Sequence, residues 1–192
     1  MGIAPELVKL REGDELAFRQ LVDQHQNRVF NTALGLLQHH ENAQDVTQEV
    51  FVEVFRSISK FRGDSTLSTW IYRITVQKAL GHIRSGKRLK RSGTIFGLFG
   101  NESQLNIQTN QPFDHPGIQL ENKERATILF KAIALLPLNQ RTAFTLHKVE
   151  GLSQNEIAVI MSTSVSSVES HLVRARRNLR ELLSDYYEQN EK

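Results

Sequence analysis

The chain has 192 residues, 39% of them hydrophobic, a net charge of only +3 and no cysteine. That composition suits one globular domain or two small ones. It excludes a disulfide framework, thiolate catalysis and cysteine-ligated zinc. No apolar run approaches the ~20 residues that span a bilayer, and the opening MGIAPELVKLREGDE lacks the apolar core of a signal peptide. The expectation is a cytoplasmic protein with no direct membrane insertion.

Nearly every patterned segment reads as helix. Asp14 can cap a first helix whose apolar positions are Leu16, Ala17, Phe18, Leu21, Val22, Val29, Phe30, Ala33, Leu34 and Leu37, mostly at three- and four-residue steps. A polar break at His39–Asn42 precedes a second helix running to about Ile58. FRGDST is a turn, with Gly63 as breaker and Asp64 or Ser65 as the next cap. A third helix begins near Ser68 and carries Trp70, Ile71, Ile74, Leu80 and Ile83, with Trp70 read as core.

Composition then shifts to Gly, Asn, Gln, Ser and Pro, marking a flexible linker over 93–118. It contains an apolar island, Thr94–Gly100, which fits either a clip onto a neighbouring domain or a patch for a partner. Helical pattern resumes at about Gln119 and continues to Tyr187. The expected fold is all-α: two small helical domains, 1–92 and 119–192, joined by the linker.

The second domain carries a helix-turn-helix pattern. Pro137 starts a helix that Glu150-Gly151 ends, and Ser153-Gln-Asn-Glu156 is a capping box. The helix it opens buries Ile157, Ala158, Ile160 and Met161. Ser162-Thr163 form the turn and Ser164 caps the last helix. There Val165, Val168, Leu172, Ala175, Leu179 and Leu182 fall on one stripe at about 100° per residue. Opposite lie Ser166, Ser170, Val173, Arg174 and Arg177. Short side chains first and guanidinium groups later suit a helix entering the major groove by its N-terminal end, with cations left for phosphates.

Charge is clustered as well. Basic residues crowd into Arg84–Arg91 and Arg174–Arg180, and acids into Asp45–Glu53. Basic clusters are the footprint of a nucleic-acid binder, although helix ends also collect cations. Against enzymatic activity, His39-His40-Glu41 does not converge on an ion, and no H-E-x-x-H, phosphate-cradling loop or nucleophile elbow occurs. No catalytic residue, metal or cofactor is expected.

Two stretches together resemble one family. EGLSQNEIAVIMSTSVSSVESHLVRARRNLRELL resembles the fourth region of bacterial sigma factors of the extracytoplasmic-function group. AQDVTQEVFVEVFRSISKFRGDSTLSTWIYRI is similar to their second region. The resemblance covers about three-quarters of the chain in the expected order, with the linker where the group lacks a folded third domain.

The resemblance implies roles that local chemistry supports. Asp45, Gln48, Glu49, Val52, Glu53 and Arg56 would dock on the clamp of core RNA polymerase, an acidic stripe suiting a basic surface. Asp64, Ser65, Thr66 and Leu67 would capture a base flipped from the −10 element. Thr69, Arg73, Gln77, Arg84, Lys87 and Arg88 would follow that strand. Ser166, Ser167, Glu169, Ser170, His171, Val173, Arg174 and Arg177 would read the −35 element, and the last domain would touch the polymerase flap. The linker would thread toward the polymerase active-site channel. An anti-sigma factor, often membrane-anchored in the family, would be a further partner. The alternative is an autonomous helix-turn-helix regulator that binds duplex DNA without polymerase.

Some positions depart from the family. Gln77 stands where asparagine is common. Gly81 replaces a usual polar residue, weakening its helix by about 1 kcal/mol relative to alanine. Glu169 and His171 stand where many members carry lysine or arginine. Glu169 either complements the helix dipole from a flank or accepts from a cytosine amino group.

Overall fold

The computed structural model describes residues 5–93 and 123–190, and among these there is helix and no strand. In chain order the helices are α1 (Pro5–Arg11), α2 (Glu15–Leu37), α3 (His40–Ser57), α4 (Leu67–Gly93), α5 (Lys123–Leu135), α6 (Leu138–Phe144), α7 (Gln154–Met161) and α8 (Val165–Asn190). A 3₁₀ turn, Ile58–Lys60, extends α3, and a π-helical turn, Thr145–Val149, extends α6. Helix α4 takes in Gly93, the first residue of the expected linker, and the Thr94–Gly100 island and the linker to 118 lie outside the described residues.

Local chemistry sets the helix ends. Asp14 caps α2 by accepting from the Ala17 amide at 2.8 Å. Gln38 closes α2 in the left-handed region (φ 56°), and its N–H donates to the Leu34 carbonyl. The break before α3 is therefore only Gln38-His39, shorter than the expected His39–Asn42. The turn into α4 is capped by neither Asp64 nor Ser65. Thr66 does it, its Oγ1 accepting from the Thr69 amide at 3.1 Å. The capping box of α7 is complete, and Ser164 accepts from the Ser167 amide at 3.2 Å.

Helices α2, α3 and α4 pack on one another through Leu21, Val29, Leu36, Val46, Val50, Val54 and Ile71. Leu16, expected in this core, is 65% exposed. At about 100° per residue it falls on the side of α2 opposite Leu21, Val29 and Leu36. Val165 likewise begins the apolar stripe of α8 but is 40% exposed. Side chains tilt toward a helix N-terminus, so a first residue projects past the end rather than into the core. Trp70 is half-buried against the core, its ring 5.2 Å from that of Phe61.

The main core does not stop at the N-terminal helices. It continues without a gap into Ala143, Leu146, Ile157, Ala158, Ile160, Val168 and Leu172, because α7 packs on α4 and the π-helical turn packs on α2. A smaller core of Phe130, Ile133, Leu136, Ala175 and Leu179 ties α5 to α8.

Candidate nucleic-acid and protein-binding surfaces

Three surfaces gather the sequence-derived candidates. The first lies on α3. Asp45, Gln48, Glu49, Val52 and Arg56 are exposed along one ridge, while Val46, Val50 and Val54 anchor the opposite face. Glu53 is turned to the flank. Lys78 of α4 lies 3.5 Å from its carboxylate and 4.0 Å from that of Glu49. The acidic stripe is thus partly neutralised from within.

Beside the ridge runs a groove of about 720 Å³ between α2 and α3, lined by Phe18, Val22, Phe51, Val52, Phe55 and Arg56 among others. Phe55 is 54% exposed and stacks edge-on with Phe18 at 5.1 Å. Sequence reasoning missed it, because its spacing places it one step off the ridge. An exposed phenylalanine beside an exposed valine was the available signal.

The second surface lies on α4 and the turn before it. Asp64 and Thr66 are exposed, and Ser65 and Leu67 half-exposed. Arg73, Gln77 and Arg84 are exposed in a row, with Gly81 among them. Thr69 does not join this row. It is 4% exposed, and its hydroxyl pairs with that of Thr66 at 2.8 Å, so it builds the turn rather than facing solvent. The side chains of Lys87 and Arg88 lie outside the described residues.

The third surface is α8. Ser166, Glu169, Ser170, Val173, Arg174 and Arg177 are exposed above the buried Val168, Leu172 and Ala175. Ser167 and His171 are half-buried and face each other, Oγ to Nε2, at 3.5 Å. Arg176 and Arg180 are exposed cations that the expected set left out. Arg177 reaches Glu181 only loosely, at 4.0 Å between two exposed side chains. Hydrogen bonds from the Ser153 hydroxyl and amide hold the Glu156 carboxyl below its ordinary range, so the box that caps α7 stays charged. Among the described residues no group of three or more metal-ligating side chains occurs, and no helix is long and apolar enough to cross a membrane.

The family model of Sigma-70 region 2 matches residues 21–89, and that of Sigma-70 region 4 matches residues 126–179. The chain is 36% identical to the ECF RNA polymerase sigma-E factor of Haemophilus influenzae over 172 residues, covering 88% of each chain. It belongs to the extracytoplasmic-function sigma factors of the sigma-70 family. The sigma-H factor of Pseudomonas aeruginosa is 33% identical over 178 residues, covering 88% of this chain and 86% of the relative. The sigma-E factor of Escherichia coli K12 is 32% identical over 168, covering 88% and 87%.

Two solved structures share the fold of this sigma factor at 22% identity. One is CnrH in complex with the cytosolic domain of CnrY, with a TM-score of 0.66 over 94% of this chain and 96% of that one. The other is RpoE of Bartonella quintana in complex with the anti-sigma factor NepR, with a TM-score of 0.64 over 87% and 96%.

Proposed function

We propose that this sigma factor binds core RNA polymerase through α3, reads the −10 element with α4 and the turn before it, and reads the −35 element with α8. The observation that carries this reading is that α4 and α8 each bury an apolar stripe and turn a polar, cationic row to solvent: Arg73, Gln77 and Arg84 on one, Ser166, Ser170, Arg174 and Arg177 on the other. The α8 row suits duplex DNA, with short side chains near base edges and arginines on phosphates. Arg73 and Arg84 suit the backbone of an opened strand. The turn at Asp64–Leu67 offers a carboxylate and hydroxyls to an unstacked base.

Docking on polymerase uses the α3 ridge with the groove beside it. Val52 and Phe55 supply apolar anchors, and Asp45 and Glu49 supply charge for a basic partner. The last domain contacts the polymerase flap. An anti-sigma factor, of the kind named for the Bartonella relative, is a partner that would compete for these faces.

Run-off transcription with core polymerase on promoter fragments tests the reading. The chain should confer starts that core alone does not make. Asp45→Lys with Glu49→Lys should abolish co-purification with core while circular dichroism stays unchanged. Undiminished binding would reject α3 as the docking ridge.

A further inference from the structure

Helix α1 precedes the stretch that the region 2 model matches, yet it is bonded to the turn proposed to capture a base. Local chemistry fixes its joint to α2. Gly13, in the left-handed region at φ 81°, donates its N–H to the Leu10 carbonyl at 3.3 Å. Asp14 donates to the Lys9 carbonyl at 3.0 Å and then caps α2, so the helix closes as a Schellman motif. Leu10 is buried in the main core, with Leu7 packed against it. Arg11, the last residue of α1, is thereby carried to the 3₁₀ turn that extends α3.

There the half-buried Arg11 crosses 50 residues of sequence to donate from Nη2 to the Phe61 carbonyl. Phe61 is where FRGDST begins. Its ring is buried beside Trp70, and its amide donates to the Ile58 carbonyl at 3.1 Å. With the amide, the ring and the carbonyl all held, the planar peptide that follows has one orientation, which sets the direction in which the chain leaves.

Beyond that peptide little anchors the chain. Arg62, Gly63 and Asp64 are exposed, with Gly63 at φ 80°. Ser65 donates to the neighbouring Thr66 carbonyl at 3.3 Å, a bond that does not tie the turn to the rest of the fold. The next anchor is Thr66, joined to Thr69. The turn is thus pinned at two points, by Arg11 at its entry and by Thr66 at its exit.

Stability does not account for the arginine. Its Nε is buried and makes no hydrogen bond of ordinary geometry. A guanidinium desolvated without its full set of partners is a poor stabilising device. What an apolar side chain of the same length could not do is hold the Phe61 carbonyl.

We infer that Arg11 is a positioning residue for capture of the −10 base: by fixing the Phe61 carbonyl it presets the turn Arg62–Ser65 in the shape that admits an unstacked base. It touches no DNA and acts through the turn. A turn held in its binding shape has less freedom to lose when the base enters. The inference rests on the proposed reading of that turn.

An abasic scan tests this. Holoenzyme is assembled from core polymerase and the full chain, and the probe is the non-template strand of a promoter mapped by run-off transcription. Each base of the −10 stretch is replaced in turn by an abasic sugar. The unsubstituted protein should lose ~5- to 100-fold in affinity at one position, the range for one stacked base. Arg11→Met keeps the packing of the stem and removes the donor. It should shrink that penalty to less than ~2-fold while the phosphate contribution, read from the salt slope, stays unchanged. Arg11→Lys, which can still donate to the carbonyl, should restore most of the penalty.

Val29→Ala separates positioning from stability. Val29 is 1% exposed in the same core, and it has no polar group with which to hold the turn. The variant should lower the urea midpoint at least as far as Arg11→Met, yet keep the abasic penalty whole. A full penalty in Arg11→Met, or its loss in Val29→Ala as well, would overturn the inference. Absence of any sensitive position in the unsubstituted protein would instead count against base capture in the proposed function.

Discussion

Helices α4 and α8 are of nearly equal length, 27 and 26 residues, and both are proposed to read DNA, yet they are built differently. Helix α4 is central. Ile71, Tyr72, Ile74, Thr75, Val76 and Ala79 are all buried, because α2 and α3 cover one side and α7 another. That arc takes more than half its circumference and leaves a narrow row for solvent. Helix α8 is peripheral, burying the stripe Val168, Leu172, Ala175 and Leu179 and exposing most of the rest. A central helix carries stability and recognition on the same few turns. A peripheral one separates them.

The largest effect expected from this contrast is on stability. Ile71→Ala removes a side chain that is 1% exposed within the core shared by both regions. It should cost about 2–5 kcal/mol in urea unfolding. Val165→Ala, on the apolar stripe of α8 but exposed, should change stability by less than ~0.5 kcal/mol. Equal costs would mean that the two helices are buried alike.

Recognition should show the converse. Arg174→Ala with Arg177→Ala should leave unfolding unchanged. It should reduce the slope of log affinity against log salt on duplex −35 DNA by about 2, since each phosphate contributes about 0.9. Arg73→Ala with Arg84→Ala should reduce the slope on a −10 single strand by about 1.4, at about 0.7 each. Loss confined to one base position would reassign these arginines from phosphates to bases.

A smaller effect belongs to the buried Tyr72–Glu150 pair beside α4. Burial pushes the Glu150 carboxyl above its ordinary value, outweighing the hydrogen bond from Tyr72, the nearby Thr32 hydroxyl and the Arg28 charge, which pull it down. Burial and the Glu150 charge push the Tyr72 hydroxyl up in turn. The folded chain therefore holds the Glu150 proton more tightly than the unfolded chain, where that carboxyl is in water. Its contribution to stability should be full below the ordinary carboxylate value and be lost as pH rises through the raised one. Urea unfolding followed against pH should show that loss, and Glu150→Gln should flatten it.

The same contrast explains what could be read from the sequence. The α8 pattern was legible because one stripe faces one neighbour, so period alone separates Leu172 from Arg174. What period alone does not give lies at the end and the flank, where Val165 projects past the core and His171 turns back to Ser167. Helix α4 was harder. Tyr72, Val76 and Ala79 pack toward partners distant in sequence, and no local period announces a second buried side. Nor does spacing separate Thr69 from the outer row, although its hydroxyl closes the turn with Thr66. The Gly35–Thr145 contact was invisible, since a glycine within a helix does not say what approaches it.

The smallest expected effect probes the narrow row itself. Gly81 lies among Arg73, Gln77 and Arg84 in the middle of α4, whereas α8 has no glycine. A Cβ at Gly81 would meet nothing within 4 Å, so packing does not require the glycine. Gly81→Ala should therefore stabilise the chain by about 0.5–1 kcal/mol through helix propensity alone. The glycine weakens the helix where the outer row has least width to spare. If α4 reads an opened strand as proposed, the absent side chain would let that strand lie close to the backbone between flanking arginines. Gly81→Ala should then bind a −10 single strand more weakly despite its added stability. A gain in stability with unchanged affinity would leave the glycine no part in recognition and widen the usable row of α4 toward that of α8.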